Sequence, residues 1–360
     1  MVKFYTSLGL MSGTSMDGID ASLIRSNGTD KLDIILNRYL PYNCDFSDKI
    51  SKLKDKIYFF EDLRQVSSEI KTIEREITIS HAKVVNEIKQ NLDTKIDLIG
   101  FHGQTIYHNA SEKKTVQLGD ANLLSQLTKN KIINNFRQND IDNNGNGAPL
   151  TPIFHKLIQN KLKKSMTILN IGGITNETVF DDNGSFYARD IGPGNCLIDK
   201  WIKLNTNKLY DKDGKLAESG KINKIILDQS LDVYFNNIIS QNRSFDINDF
   251  DFAFVRGLSI ADGSATITEF TAEILSKKIT GDNIYVSGGG RKNKFLIKKL
   301  ENKLNKKISL IDELGFNGDF VESQAFAYIG IRSFLNLPIT FPNTTGCDLP
   351  CSGGKLFENF

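Results

Sequence analysis

A glycine-rich turn between two short apolar segments occurs near the start of the chain and again in its middle. The first is GLMSGTSMDGID at 9–20, and the second is the Gly172–Gly173 turn within MTILNIGGITNETVF at 166–180. Each pattern predicts a β-hairpin, whose glycines let the backbone approach a ligand and whose N–H groups can form an anion site. One such turn alone would also fit an ordinary surface hairpin. The first is not a Walker loop, because no Gly-Lys-Ser/Thr closes it and no helix follows.

Each hairpin is followed later by a strand that runs into glycine, IDLIGFHGQT at 96–105 and NIYVSGGGRKN at 283–293. This repetition indicates a duplicated nucleotide-binding core. Three-strand meanders followed by helix–strand–helix units predict an α/β fold with a mixed sheet in each half, covered by helices. We expect the boundary near 163–166, a ligand cleft between the halves, and a last helix that crosses back onto the first half.

Apolar periodicity places the elements along the chain. Strands are predicted near 3–9, 19–26, 31–40, 96–101, 131–134, 166–171, 176–180, 186–190 and 283–287. Helices are predicted near 60–90, 120–129, 150–163, from 195, and near 223–239, 262–279, 293–304 and 322–335. The helix at 60–90 has one apolar face, which favours packing in a core or against a partner helix, formed by Leu63, Val66, Ile70, Ile73 and Ile77.

Composition limits the function classes. The 360 residues suffice for two domains, and 39% hydrophobic with 24% charged residues is typical of a globular protein. A net charge of +2 gives no reason to expect a nucleic-acid partner. Without a leader or long apolar run, we expect no membrane partner and a cytoplasmic location. The four histidines are too scattered for a metal cluster, and Cys347 and Cys351 lack a second ligand pair, which predicts reduced cysteines.

Asp190 lies in RDIGPGN at 189–195, which predicts a carboxylate at a strand end before a glycine turn. Such a carboxylate can take a proton from a nucleophile within about 3 Å, although it could instead cap the turn or helix. Phosphoryl transfer needs cradled phosphates, Mg²⁺ and often a carboxylate base. The polar segment 134–155 adds Arg137 and Asp140, which would suit an anionic, hydroxylated substrate or simply lie in a solvated loop.

Together these segments resemble the anhydro-N-acetylmuramic acid kinases, of the sugar kinase, actin and heat-shock chaperone superfamily. The resemblance covers the chain in order, through GLMSGTSMDGID, GFHGQT at 100–105, QLGD at 117–120, NFRQND at 135–140, GAPLTPIFH at 147–155, NIGGITN at 170–176, DIGPGN at 190–195, SGGGRKN at 287–293 and ESQAFA at 322–327. It implies a two-lobed actin-like ATPase fold with an interdomain cleft. The first lobe would comprise 1–163 with about 322–360, and the second would comprise 164–321.

The resemblance also implies a reaction, in which ATP, water and 1,6-anhydro-N-acetylmuramic acid give ADP and N-acetylmuramic acid 6-phosphate in cell-wall recycling. Asp190 would act as general base on the water, and Mg²⁺ is expected with ligands that the sequence does not give. The implied ATP contacts are Gly13, Thr14, Ser15, Met16, Asp17, Gly18, Ile19, Asp20, Gly172, Gly173, Gly288, Gly289 and Gly290. The implied substrate contacts are His102, Gln104, Arg137 (for the lactyl carboxylate), Asp140 and Glu322.

One loop departs from the family pattern, because 142–147 reads DNNGNG where small residues and Gly-Gly-Gln are expected. Asn tolerates positive φ, so the change bears on substrate affinity more than on the fold. Three other functions stay open at this stage. They are an ordinary sugar kinase, a non-catalytic ATP-binding clamp, and a glycosidase with Asp190 and Glu322 as its carboxylate pair. A homodimer is compatible with the sequence.

Overall fold

A computed structural model describes residues 2–13, 15–237 and 244–360. The chain forms two compact units: unit 1 comprises the chain up to Leu162 with Phe320–Phe360, and unit 2 comprises Lys163–Asp319. The strands are β1 (Tyr5–Ser12), β2 (Gly18–Ser26), β3 (Leu32–Pro41), β4 (Leu98–Asn109), β5 (Lys114–Leu118), β6 (Lys131–Asn134), β7 (Met166–Ile171), β8 (Ile174–Phe180), β9 (Phe186–Pro193), β10 (Ile284–Ser287), β11 (Ile308–Leu310) and β12 (Lys355–Phe357).

The α-helices are divided between the same two units. In unit 1 they are α1 (Cys44–Lys54), α2 (Asp62–Gln65), α3 (Ser67–Gln90), α4 (Ala121–Thr128), α5 (Gln138–Asp142), α6 (Pro152–Leu162), α12 (Val321–Phe334) and α13 (Pro342–Thr345). In unit 2 they are α7 (Cys196–Asn205), α8 (Lys215–Ser219), α9 (Lys224–Asn237), α10 (Ile260–Lys278) and α11 (Lys294–Leu304). The predicted end of the helix at 223–239 lies outside the described residues.

The two sheets share the order of five strands, and the sheet of unit 1 has two more, β5 and β12. Unit 1 has the order β12-β6-β4-β1-β2-β3, with β5 paired to β4, and unit 2 has the order β11-β10-β7-β8-β9. In each unit three antiparallel strands are followed by two parallel ones, β4 and β6 beside β1, and β10 and β11 beside β7. The predicted α/β fold, with a mixed sheet in each half and a repeated core, is confirmed.

Helix α12 lies directly on the unit 1 sheet. A Cβ atom built on Gly100 would lie 2.1 Å from the carbonyl oxygen of Phe326, so only glycine allows this approach of helix to strand β4. Tyr328 on α12 donates a hydrogen bond to Thr29 O at 2.8 Å. The C-terminal segment is therefore part of the core of unit 1.

Two predicted elements differ in extent from the structure. The helix expected at 60–90 breaks at Val66, whose φ of −102° and ψ of 16° are not helical, but its stripe packs in the core as predicted, with Ile73 and Ile77 buried. Strand β4 was predicted to end at 101. The pairing of β4 with β1 shifts in register between Phe101 and Gly103. Gly103 adopts a φ of +76° there, and the strand then continues and pairs with β5.

Asp190 was expected to end its strand, and that was wrong: β9 continues to Pro193. Helix α1 was not predicted, although Asn43 caps it by accepting a hydrogen bond from Phe46 N at 2.8 Å. Over the part of the chain that the structure describes, no helix combines the length and apolarity needed to cross a bilayer.

Candidate active site

The first glycine hairpin joins β1 to β2 through a tight turn. Met16 N donates to Gly13 O at 3.1 Å, and Ser15 Oγ donates to Asp17 Oδ1 at 2.5 Å. Met16 adopts a φ of 56° with its side chain buried, and Ser47 Oγ on α1 donates to its carbonyl at 2.6 Å. The buried Met16 side chain and the Ser47 hydrogen bond therefore hold the turn in place, while Ser15 and Asp17 are exposed. Thr14 lies outside the described residues.

The remaining predicted ATP contacts of unit 1 lie at the start of β2. Gly18 and Ile19 are buried and Asp20 is half-buried. The Ile19 side chain belongs to the hydrophobic core between the sheet and α3, so only its backbone is suited to a polar ligand.

Gln104 connects the hairpin to strand β4. Its Oε1 accepts a hydrogen bond from Ser12 Oγ at 2.7 Å, and its Nε2 donates to Gly13 O at 3.1 Å. The side chain is buried. Gln104, which the resemblance implies as a substrate contact, thus holds the turn that precedes β2 in place.

His102 and Arg137 form a second connection in unit 1. Arg137 Nε and Nη2 donate to His102 Nε2 at 3.1 and 2.9 Å, and Arg137 Nη1 donates to Gly147 O at 2.7 Å. Since arginine can only donate, His102 carries its proton on Nδ1, which donates to Gly103 O at 2.9 Å. Burial, and then the Arg137 charge, lower the pKa of His102 well below its usual value, so the ring is neutral.

Asp140 is enclosed by the loop that departs from the family pattern. Its carboxylate accepts hydrogen bonds from Gly147 N at 2.7 Å and from Thr345 Oγ1 at 2.6 Å, and the side chain is 1% exposed. Asn146 N donates to Thr345 O at 2.8 Å. Asp140 therefore orders the loop that accepts the Arg137 hydrogen bond. Glu322, the other predicted carboxylate, lies half-buried in the first turn of α12.

In unit 2 the second glycine hairpin meets the loop that follows β9. Asn195 N donates to Gly172 O at 2.8 Å, and Gly194 N donates to Gly173 O at 2.9 Å. A Cβ atom on Gly194 would lie 2.2 Å from Gly172 O, so the approach requires glycine. The two motifs that sequence reasoning selected separately are thus one local structure.

The three-glycine segment begins beside this hairpin. Ser287 pairs with Asn170 in the parallel ladder of β10 and β7, and Ser287 Oγ donates to Leu169 O at 3.3 Å. Gly288 N donates to Gly318 O at 3.1 Å. Residues 288–290 therefore leave the sheet where β7 enters its glycine turn, and the glycines predicted for ATP in unit 2 come together.

Asp190 lies on β9 opposite Asn176 of β8. Its Oδ2 accepts a hydrogen bond from Phe245 N at 2.9 Å. Opposite residues of an antiparallel pair share a face, and the Oδ1 atom of Asn176 is buried with no hydrogen-bond partner among the described residues. Sequence reasoning missed Asn176 although it ends the NIGGITN motif, and it had no signal for Phe245.

The neighbouring pair on these strands points to the other face. Arg189 Nε donates to Glu177 Oε1 at 3.0 Å, and Thr280 N donates to Glu177 Oε2 at 3.0 Å. Burial raises the pKa of Glu177, against the lowering effect of Thr280 and Arg189. This ion pair between a half-buried arginine and a buried glutamate fixes β8 against β9, and with them the position of Asp190.

Two α/β units that share the order of five strands, each with a glycine hairpin on its antiparallel strands, define a duplicated α/β fold. The sequence model for anhydro-N-acetylmuramic acid kinase matches residues 5–359. The chain is 48% identical over 376 aligned positions to the anhydro-N-acetylmuramic acid kinase of Pelagibacter ubique, with all of both chains covered. It is 35% identical over 370 positions to that of Zymomonas mobilis, covering 97% of this chain and 99% of the relative. The chain belongs to the anhydro-N-acetylmuramic acid kinase family.

A more distant likeness exists among solved structures. The activator of 2-hydroxyisocaproyl-CoA dehydratase from Clostridium difficile, with bound ADPNP, is 12% identical with a TM-score of 0.43, covering 91% of this chain and 94% of that one. This likeness carries no argument about function, which rests on membership of the family. Membership confirms the predicted kinase class and the use of ATP on a small sugar, and it does not favour the ordinary sugar kinase, clamp or glycosidase alternatives.

Proposed function

We propose that this chain catalyses the hydrolytic phosphorylation of 1,6-anhydro-N-acetylmuramic acid by ATP, giving N-acetylmuramic acid 6-phosphate and ADP in peptidoglycan recycling. The family supports the substrate. One observation of the structure carries the mechanism: Asp190 lies on the strand that leads into the loop bonded to the Gly172–Gly173 hairpin, on the face opposite the Glu177–Arg189 pair. A carboxylate base and a phosphate-binding turn are thus built from one local structure.

Asp190 would act on the attacking water. A carboxylate has lone pairs on both oxygens, so the Phe245 N–H fixes its orientation while capacity to take a proton is retained. The water loses a proton to Asp190 and its oxygen bonds to the anomeric carbon. The bond from that carbon to O6 breaks, O6 takes the γ-phosphoryl group, and ADP leaves. The amide of Asn176, on the same face of the strands, is suited to orient the water.

The glycine segments would bind the nucleotide. We propose that the hairpin from Gly13 to Asp20 and the Gly172–Gly173 turn hold the phosphates, and that Gly288–Gly290 lie against the adenosine. Mg²⁺ would neutralise the phosphate oxygens, with Asp17 or Asp190 reaching it through water. Since ATP is the cosubstrate, we place the reaction in the cytoplasm, and a homodimer stays a prediction.

Arg137 would bind the lactyl carboxylate of the sugar. A guanidinium presents its donors in a planar fork that matches a carboxylate, and neutral His102 together with Gly147 O sets the plane of that fork. We propose that Asp140 and Gln104 serve as positioning residues for this loop and for the first hairpin, and that Glu322 contacts the sugar. Their buried hydrogen bonds support this division.

The test combines isotope labelling with Asp190→Asn. Purified protein is incubated with anhydro-N-acetylmuramic acid, ATP and Mg²⁺ in ¹⁸O-water, and the product is analysed by mass spectrometry. We expect one heavy oxygen at the anomeric carbon, and turnover lowered by at least about 100-fold in Asp190→Asn.

Asp228→Asn is the matched control, because Asp228 is an exposed carboxylate of the same unit; its turnover should match wild type. A phosphorylated product without heavy oxygen would instead indicate an ordinary sugar kinase. Cleavage without ATP would indicate a glycosidase, and near-normal turnover of Asp190→Asn would remove this residue from the role of base.

A further inference from the structure

Three buried side chains of unit 1 lie close together. Asp140, Cys347 and Cys351 each offer one ligand atom, and these atoms all lie within 4.8 Å of one another. We propose that they bind a thiophilic divalent cation of the Zn²⁺ class. Sequence analysis considered the cysteine pair but not its third ligand, because Asp140 is separated from the cysteines by about 200 residues of chain.

The donor set fits such an ion. Zn²⁺ is bound in proteins by thiolates and carboxylates, and a site with three protein ligands leaves a fourth position for water. The distances among the three ligand atoms allow closure around one ion after small side-chain rotations, since Zn–S and Zn–O bonds are each about 2 Å. Binding would release the thiol protons to solvent.

The backbone holds the ligands in place. Cys351 N donates to Thr340 O at 3.1 Å, and Ile339 N donates to Cys351 O at 2.7 Å, which anchors Cys351 in a β-bridge. The Asp140 carboxylate is oriented by Gly147 N and Thr345 Oγ1. Hydrogen-bonded carboxylates of this kind are typical of metal sites, because their partners orient the ligand oxygens.

Charge gives an independent reason for a cation. Asp140 is 1% exposed and Cys347 is also 1% exposed. Within the described ranges no lysine, arginine or histidine forms an ion pair with Asp140, whose hydrogen bonds come from a backbone amide, a hydroxyl and the Cys347 thiol. An unpaired buried carboxylate is costly, and a divalent cation between it and the thiols would supply the missing charge.

The site is connected to the loop proposed to bind the sugar. Gly147 donates its N–H to Asp140 and accepts from Arg137 at its carbonyl. Cation binding at Asp140 should therefore change the KM for the sugar more than kcat. This consequence alone rests on the proposed function, whereas cation binding itself is measured without substrate.

The experiment titrates metal-free, phosphine-reduced full-length protein with Co²⁺ and then with Zn²⁺. We expect one equivalent of Co²⁺ to give thiolate charge-transfer bands and the intense d–d bands of tetrahedral Co²⁺, and Zn²⁺ to displace them. Cys347→Ser and Cys351→Ser should each weaken binding by at least about 100-fold. Cys44→Ser is the control, because Cys44 is exposed and lies outside the cluster.

Absence of these bands in the reduced wild-type protein would overturn the proposal, and this result does not depend on the folding of any variant. Bands that persist in both cysteine variants would also overturn it. So would a Cys347–Cys351 disulfide found by peptide mass spectrometry in the purified protein before reduction. If cobalt binds as expected but ¹⁸O labelling fails, the cation site stands and the proposed reaction falls.

Discussion

Buried histidines should make unit 1 sensitive to acid. The His81 ring is inaccessible, with Nδ1 2.8 Å from Ile77 O and its centroid 4.9 Å from that of Phe101. Burial lowers the pKa of His81 to about 4, and burial lowers the pKa of His155 to about 3. In the unfolded chain both groups regain a pKa of about 6.5.

The direction in which pH changes the stability follows from proton binding. Below about pH 6.5 the unfolded state binds protons that the folded state does not bind, so stability is fully present above that pH and is lost as the pH falls. At pH 5, about 1.5 units below the unfolded pKa, His81 and His155 each remove about 2 kcal/mol of the free energy of unfolding. Together they remove about 4 kcal/mol, a large part of the 5–15 kcal/mol typical of a folded protein.

The assay is urea unfolding at pH 8 and at pH 5, followed by far-UV circular dichroism and by tryptophan fluorescence. The single tryptophan, Trp201, lies in unit 2, which contains no histidine. It is therefore an internal control. Acid should lower the urea midpoint seen by dichroism more than the one seen by Trp201.

A single substitution isolates the contribution of one histidine to the loss of stability. His81→Gln is neutral at both pH values, so its stability should fall between pH 8 and pH 5 by about 2 kcal/mol less than that of wild type, whatever its absolute stability. Equal losses in variant and wild type would refute the reasoning. A Trp201 midpoint that moves as far as the dichroism midpoint would show that the effect is not confined to unit 1.

Two further predictions concern local packing and the first hairpin. Gly100→Ala places a methyl group about 2.1 Å from Phe326 O, and we expect a loss of about 3 kcal/mol, measured by urea unfolding; wild-type stability would contradict the close packing of α12. Gln104→Leu removes the hydrogen bonds to Ser12 and Gly13 at similar volume. We expect the KM for ATP to rise about tenfold, since about 1.4 kcal/mol of positioning is lost, and an unchanged KM would exclude a role for Gln104 in holding the hairpin.

Local patterns predicted the parts of the fold that local interactions define. Strands β6 and β7 have the predicted bounds, 131–134 and 166–171, because apolar runs between polar segments mark them clearly. Helix α1 had a usable signal that was overlooked, with Asn43 as cap and buried residues at Phe46, Ile50 and Leu53. Strands β11 and β12 have three residues each, too few for a period, and only their pairing partners define them.

The residues of the candidate site also fall into two groups, those that short motifs predict and those that only tertiary packing brings together. Glycine turns, and a carboxylate shortly before one, form short motifs, so the motifs around Gly172 and Asp190 could be predicted from the sequence. The sequence could not show that Gln104 bonds to a residue 91 positions earlier. Nor could it show that Asp140 lies close to the two cysteines, since contacts across such distances depend on tertiary packing alone.

In unit 1, elements from the end of the chain pack against strands from its first half. Strand β12 pairs with β6, and α12 covers strand β4, yet both are translated after all of unit 2. A growing polypeptide must therefore leave the ribosome with the β6 edge and the glycine surface of β4 open to solvent, while 163–319 is already available as an uninterrupted segment. Such edges promote intermolecular strand pairing, so nascent chains stalled before α12 should depend on chaperones much more than the finished protein.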